Sequence, residues 1–451
     1  MKRITPYFLF IITTIIATFF WEKINLPFSS DEAHVGDSYL KNQHHYQNDT
    51  VRFVLFLSLP FLVLILYYQS FEKTFINNVK KIIYANYSPK TDNLNLLKFF
   101  LLITLTLIIF EFFFIDFKTL NHHIDIFHEG LWLTASSNSI LQNEFWQSSY
   151  VGRGFIGNFY PFFLWKFFEL ESVGVTRFFN IFMILCNKIL LLLISYRVVM
   201  ICDLRKDEKI IFYFLLSLTL LIYTSYISPV FFLRSFLLLL FIFLLLNFLT
   251  LKDKKNLYLI FLAFLSSLGM FWYIDIGIYI NAILFLLLIF LLIKKDIISC
   301  YYLLFFTALG WAIVYFTLPK YELYQFVKNT KLILSTIDYI QGLIFPTPFL
   351  SQDTRSTKAL LLFLITGFLI IREISYLKKE NKSFLLAMSF LFIISILYFK
   401  YGLSRSDGGH IKIASGFVYI PLFSILYYKI INFTFTQKNF FSKNLKKINF
   451  V

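Results

Sequence analysis

Apolar residues in this chain come in long unbroken blocks, not in a two-residue alternation or a narrow helical stripe. Blocks of about 17–25 residues, the length a helix needs to cross a bilayer, recur at roughly 4–20, 51–70, 96–115, 176–196, 210–226, 230–250, 257–273, 276–293, 299–318, 357–371, 383–399 and 412–430. They predict an all-α polytopic integral membrane protein with about twelve transmembrane helices, in a range of about 11–13. Two divisions decide the count. The stretches 210–250 and 257–293 are each too long for one helix, and Ser228-Pro229 and Asp275 are the natural places to break them. A shorter apolar stretch at 156–170 carries Pro161 and Lys166 and predicts an interfacial helix or a re-entrant piece. Lys2 and Arg3 precede the first block, but no small-residue cleavage pattern follows, so it reads as a retained first helix. Residues 1–451 are expected to form a single transmembrane domain, with no soluble domain of useful size on either side.

Composition agrees and removes other classes. Hydrophobic residues make up 58% and charged residues 15%, with 60 phenylalanines in 451 residues. A disordered chain lacks such apolar content, and a soluble domain could not hide it behind so few charges. Cys186, Cys202 and Cys300 are isolated and suggest neither a disulfide framework nor a metal spacing.

The formal charge of +16 becomes informative once it is sorted by loop. With the N-terminus inside, every second connection is rich in Lys and Arg: 71–98, 197–209, Lys252 to Lys255, Lys294-Lys295, Arg372 to Lys382, and the tail from Lys438. That alternation predicts cytoplasmic N- and C-termini in a bacterial inner membrane. It also assigns the charge to topology and not to a nucleic-acid partner. The remaining loops, 21–50, 116–155, 319–356 and 400–411 with two short turns, then face outward. They hold all seven histidines, His34, His44, His45, His122, His123, His128 and His410, which points to an outer functional face.

Three outer constellations carry candidate chemistry. In DIFHEGLW, Asp125 and Glu129 stand just past a membrane block with His128 and Trp132 beside them. A carboxylate at that boundary can accept a proton from an acceptor hydroxyl; it can equally cap a helix. Arg153, in GRG, can reach a phosphate. In FSSDEAHVGD, Asp31, Glu32 and His34 can cap a helix, act on a substrate, or hold a divalent metal ion with His44-His45 in reserve. In GLSRSDGGHIK, Arg405, Asp407 and His410 beside paired glycines suit a phosphate contact or an ordinary hairpin. Asp275, in MFWYIDIGIYIN, is the most confined carboxylate. An acid at membrane depth is usually paired or functional, and Arg234, Arg405 and Arg153 are its candidate partners. Trp132, Trp146 and Trp272 can stack on a sugar or anchor at the interface. No nucleotide-binding glycine loop, zinc-protease motif or serine elbow is present.

The layout resembles the polyprenyl-phosphate-sugar-dependent membrane glycosyltransferases of the GT-C class, most of all at HEG (128–130), WYIDIGIY (272–279) and SRSDGGH (404–410). The resemblance covers most of the chain in layout and only these segments in motif. It implies a lipid-linked sugar donor and an acceptor that is a glycan, a lipid or a protein. It also implies inverting transfer at the outer face, with an acid of an early outer loop as base. Glu129 or Asp125, or else Asp31 or Glu32, match that acid. Arg405, His410 and Arg153 would meet the departing lipid phosphate. The HEG loop follows the third span, whereas the class places its acid after the first. A flippase or a polymerase/ligase of lipid-linked surface glycans, and a non-enzymatic assembly protein, remain alternative readings of the same layout.

Overall fold

The computed structural model describes residues 4–27, 47–85, 95–115, 117–126, 129–146, 148–149, 151, 154–227, 232–251, 254–341, 344–352, 354–377, 381–404 and 406–448. Every regular element among them is a helix. The first half contains α1 (Thr5–Trp21), α2 (Gln47–Tyr67), α3 (Phe75–Ile83), α4 (Asn95–Phe113), α5 (Gly130–Gln142), α6 (Phe155–Phe168), α7 (Val173–Ile201), α8 (Lys206–Ile222) and the single turn α9 (Thr224–Ile227). The second contains α10 (Phe232–Thr250), α11 (Lys255–Trp272), α12 (Ile274–Ile293), α13 (Ile297–Thr317), α14 (Lys320–Gln341), α15 (Thr354–Ser375), α16 (Lys382–Ser404), α17 (Gly408–Ala414) and α18 (Tyr419–Ile448). Among the described residues, nine helical stretches are long and apolar enough to cross a membrane. The chain is thus an all-α, multi-pass membrane protein.

Each of the twelve expected blocks is helical. Three of those helices, α1, α8 and α15, lie outside the nine. Thr5–Trp21 is apolar but short, α8 opens on the charged run Lys206 to Lys209, and α15 carries Arg355, Lys358, Arg372 and Glu373.

Side chains and backbone explain where the helices begin and break. Ser172 caps α7 by accepting the Gly174 N–H at 3.1 Å, and Asp296 caps α13 by accepting the Ser299 N–H at 3.2 Å. The break between α11 and α12 falls at Tyr273, in extended conformation, and not at Asp275, which sits in the first turn of α12. Small residues make the fold-back possible: a Cβ on Gly269 would lie 3.0 Å from the Gly277 Cα. Close approach through small residues is the usual device where helix pairs have no hydrophobic driving force between them.

Two of the loops expected to face outward hold more structure than the sequence suggests. Region 319–356 is mostly the 22-residue helix α14. Loop 400–411 shrinks to a short link, because α16 runs to Ser404 and α17 begins at Gly408. The stretch 156–170, expected as an interfacial helix or a re-entrant piece, is mostly the helix α6, which packs on α5, α7 and α11.

The interior is formed by α10, α16 and α18, with α7 and α12 against them. At the periphery, α4 leaves nearly all its apolar side chains open, including Phe99, Leu102, Leu107 and Phe110. In water such a face would be unstable; in a bilayer, acyl chains cover it at no cost. Chain direction alternates from helix to helix. The starts of α7, α10, α12 and α15 therefore meet the ends of α11 and α16 at one end of the bundle, together with α5, α6 and α17.

Candidate functional site

Two polar clusters occupy that end, one on each side of α6. The first is built around Arg177, in the second turn of α7, which is 7% exposed. Its guanidinium grips Glu129 with both arms: Nε donates to Oε1 and Nη2 to Oε2, each at 2.7 Å. The same group donates to the carbonyls of His122 at 2.8 Å, His123 at 3.2 Å and also Leu120. Glu129 in turn accepts the Asp125 N–H at 3.0 Å, just before α5. A planar fork with several donors is suited to this task, and one arginine ties residues 120–123 and Glu129 to the bundle.

This geometry sets the chemistry of Glu129. The Arg177 contact lowers its pKa; burial opposes that effect, and the Asp125 N–H adds to it. A carboxylate so stabilised, with both oxygens engaged, is a weak proton acceptor. Asp125 itself is exposed. Trp132 is 7% exposed and packs on Tyr160, ring centroids 6.0 Å apart. Trp146 stacks on Phe155 at 4.8 Å, and Trp272 Nε1 donates to the Leu233 carbonyl at 2.6 Å. All three tryptophans are thus committed to internal packing.

The second cluster gathers residues from α10, α12, α15, α16 and α17. Arg234, 8% exposed, forms an ion pair with Asp275, the first of the partners expected from the sequence. The Tyr401 ring covers the guanidinium, with Cζ 3.6 Å from its centroid; Tyr398 stands at 5.9 Å. The outer side of Tyr401 meets His410, ring centroids 5.1 Å apart. His410 Nδ1 lies 2.7 Å from Asp407 Oδ2, while the His410 N–H donates to Asp407 Oδ1 at 3.0 Å. The Arg355 guanidinium lies over Gly408, in the space a Cβ there would fill.

Helix α6 links the two clusters. A Cβ on Gly154 would meet the Tyr273 Cα at 2.7 Å, and one on Gly157 would meet the Tyr273 ring. Farther along α6, the Tyr160 hydroxyl accepts from Asn180 of α7 at 3.1 Å. Outside α6, α14 lies across this end: Asn329 donates to the Val151 carbonyl at 2.9 Å, and Phe326 stacks on Phe271 at 4.4 Å. An open groove runs along α14, lined by Phe326, Val327, Thr330, Lys331, Leu334 and Ser335.

Glu129, Asp125 and Trp132 thus fall in one cluster, and Asp275, Asp407 and His410 in the other. Asp31, Glu32, His34, His44, His45, His128, Arg153 and Arg405 lie outside the described residues. The divalent-metal reading falls on that set; among the described residues no three His, Cys, Asp or Glu side chains gather as a metal site. Three members of the clusters were not anticipated: Arg177, Arg355 and Tyr401. For Arg177 a signal existed, since an arginine one residue inside an apolar block is costly unless paired. Tyr401 and Arg355 carry none, being ordinary helix-end residues by sequence. Comparison with protein-family models, with curated proteins and with solved structures finds no significant match to this chain.

Proposed function

We propose that this chain is a membrane glycosyltransferase of GT-C type. In this reading all twelve helical blocks cross a bacterial inner membrane, with both termini cytoplasmic. A sugar passes from a polyprenyl-phosphate donor to an acceptor hydroxyl at the opposite face. The observation that carries the reading is the second cluster. Five elements bring Arg234, Asp275, Arg355, Tyr401, Asp407 and His410 to one end of the bundle. Charged side chains in a membrane bundle are expensive and are retained where they pair or act. The cluster supplies the group types the reaction needs: guanidinium groups for a departing lipid phosphate and a carboxylate–imidazole pair for a proton. The other end of the bundle holds simple pairs such as Lys255–Asp296 and Lys429–Glu373.

The test is transfer itself. The full chain, reconstituted in lipid nanodiscs, is given polyprenyl-phosphate sugars labelled in the sugar, together with glycan, lipid and peptide acceptors. Label should move covalently to one acceptor class, leaving free polyprenyl phosphate. Label that crosses a liposome bilayer without any covalent change would replace the enzyme with a carrier. Surface glycans unchanged by joint alanine replacement of Glu129, Asp275 and Asp407 in a protein that still folds would leave an assembly role.

A further inference from the structure

We propose that the outward face of α3 is a binding surface for anionic phospholipid, at the end of the bundle opposite the two polar clusters. The inference does not depend on the glycosyl-transfer reading above.

The nine-residue helix α3 is strongly two-sided. Phe75, Asn78, Val79 and Ile82 recur at one-turn spacing and form its inward face. Asn78 Nδ2 donates to the carbonyls of Ile374 and Ser375, at 2.9 and 3.0 Å, so the helix lies against the last turn of α15. It also packs on α16. Its start is fixed as well. Gln69 Oε1 accepts the Ile76 N–H at 3.0 Å, and Asn77 donates to the Lys73 carbonyl at 3.2 Å. These contacts hold the other face of α3 in one orientation.

That other face mixes two kinds of side chain. Ile76 is 48% exposed, Tyr84 at the end of the helix 54%, and Phe71 just before it 77%. Lys73, Lys80 and Lys81 stand exposed among them and make no ion pair among the described residues. Lys81 reaches only the Asn78 amide oxygen, at 3.5 Å. Arg372, on the adjoining end of α15, adds a fourth cation and lies over the Tyr7 ring, 5.5 Å from its centroid. The acids of the adjoining segments are engaged: Glu72 accepts the Tyr376 hydroxyl at 2.9 Å, and Glu373 pairs with Lys429. The corner is therefore positive.

This composition selects the occupant. Exposed Phe, Ile and Tyr disfavour bulk water, and lysines without acidic partners disfavour the hydrocarbon core. The boundary between acyl chains and headgroups satisfies both. The surplus of positive charge then favours anionic over zwitterionic headgroups.

The test uses the full chain in nanodiscs of phosphatidylcholine and phosphatidylglycerol. Tyr84→Trp places an indole on this face, and its emission is read as the difference from wild type, which holds six tryptophans. Quenching by brominated phosphatidylglycerol, set against brominated phosphatidylcholine, gives the local preference between the two lipids. A preference of about tenfold or more for phosphatidylglycerol is expected at low salt, shrinking as salt rises. Adding Lys80→Gln should lower it about fivefold, and joint replacement of Lys73, Lys80 and Lys81 by Gln should bring it close to one, at unchanged melting temperature. Lys80→Gln alone decides the matter if the joint variant melts early. Equal quenching by the two lipids with all lysines in place would overturn the proposal, as would a preference that survives their loss. Quenching by neither lipid would also overturn it and leave α3 facing water or a protein partner.

Discussion

Arg177 and Glu129 are expected to behave as one energetic unit, and a double-mutant cycle measures how strongly. Arg177→Gln removes two carboxylate contacts of 2.7 Å and the donors to three carbonyls. It leaves Glu129 charged with a side chain only 13% exposed. Breaking a buried pair from one side costs about 3–5 kcal/mol. The orphaned carbonyls of His122 and His123 add little, because residues 121–125 are exposed and water can replace the donor. Glu129→Gln is milder. Its amide oxygen still accepts from Arg177, and the carbonyl contacts remain, so about 1.5–3 kcal/mol is expected. The double variant should cost clearly less than the sum, with a coupling of about 2 kcal/mol. Equilibrium unfolding in mixed micelles reads all four corners of the cycle. Additivity within about 0.5 kcal/mol would refute the argument. So would an Arg177→Gln variant as stable as wild type.

Four further outcomes follow from the same geometry. The Arg177 contact holds the Glu129 pKa below its ordinary value of 4.5, so its contribution is present above that value and lost as pH falls through the lower folded one. Acid unfolding of Glu129→Gln should therefore be less steep below pH 4.5 than that of wild type. Gly154 sits at φ 135° against the Tyr273 backbone, so Gly154→Ala should cost about 1–3 kcal/mol in backbone strain, with the clash in addition, and lower the melting temperature. Arg234→Lys keeps the charge facing Asp275 but loses the flat contact with Tyr401, a loss of about 1–2 kcal/mol, whereas Arg234→Ala should reach about 3–5 kcal/mol in the same unfolding assay. Gly408→Ala displaces Arg355 at little cost in melting temperature, and steady-state kinetics should show a raised KM for the lipid-linked donor.

Much of the helical layout was legible because a bilayer imposes a one-dimensional rule. Every block near the thickness of the hydrocarbon core must form its backbone hydrogen bonds within itself, and a helix does so without any partner. Hence the long runs of Leu, Ile and Phe mark α10, α12 and α16 directly. The pairing of Asp275 with Arg234 was also within reach, since an acid at that depth demands a cation and few are near. The amphipathic α14 was hidden, because its polar residues read as a loop when no membrane-length run marks it.

What the sequence could not supply is which polar groups share a neighbourhood. Glu129 and Arg177 are 48 residues apart, and neither says that both oxygens of one will be filled by the other. His410 and Asp407 are three residues apart, yet the tyrosine behind the imidazole and the arginine over Gly408 come from separate helices. Hydrophobic length and charge therefore determined that the chain is a helical membrane protein, because those are properties of each segment alone. The tertiary structure decided that Glu129 is held by Arg177 while His410 faces a carboxylate, because pKa and reactivity depend on distances between segments that no local pattern encodes.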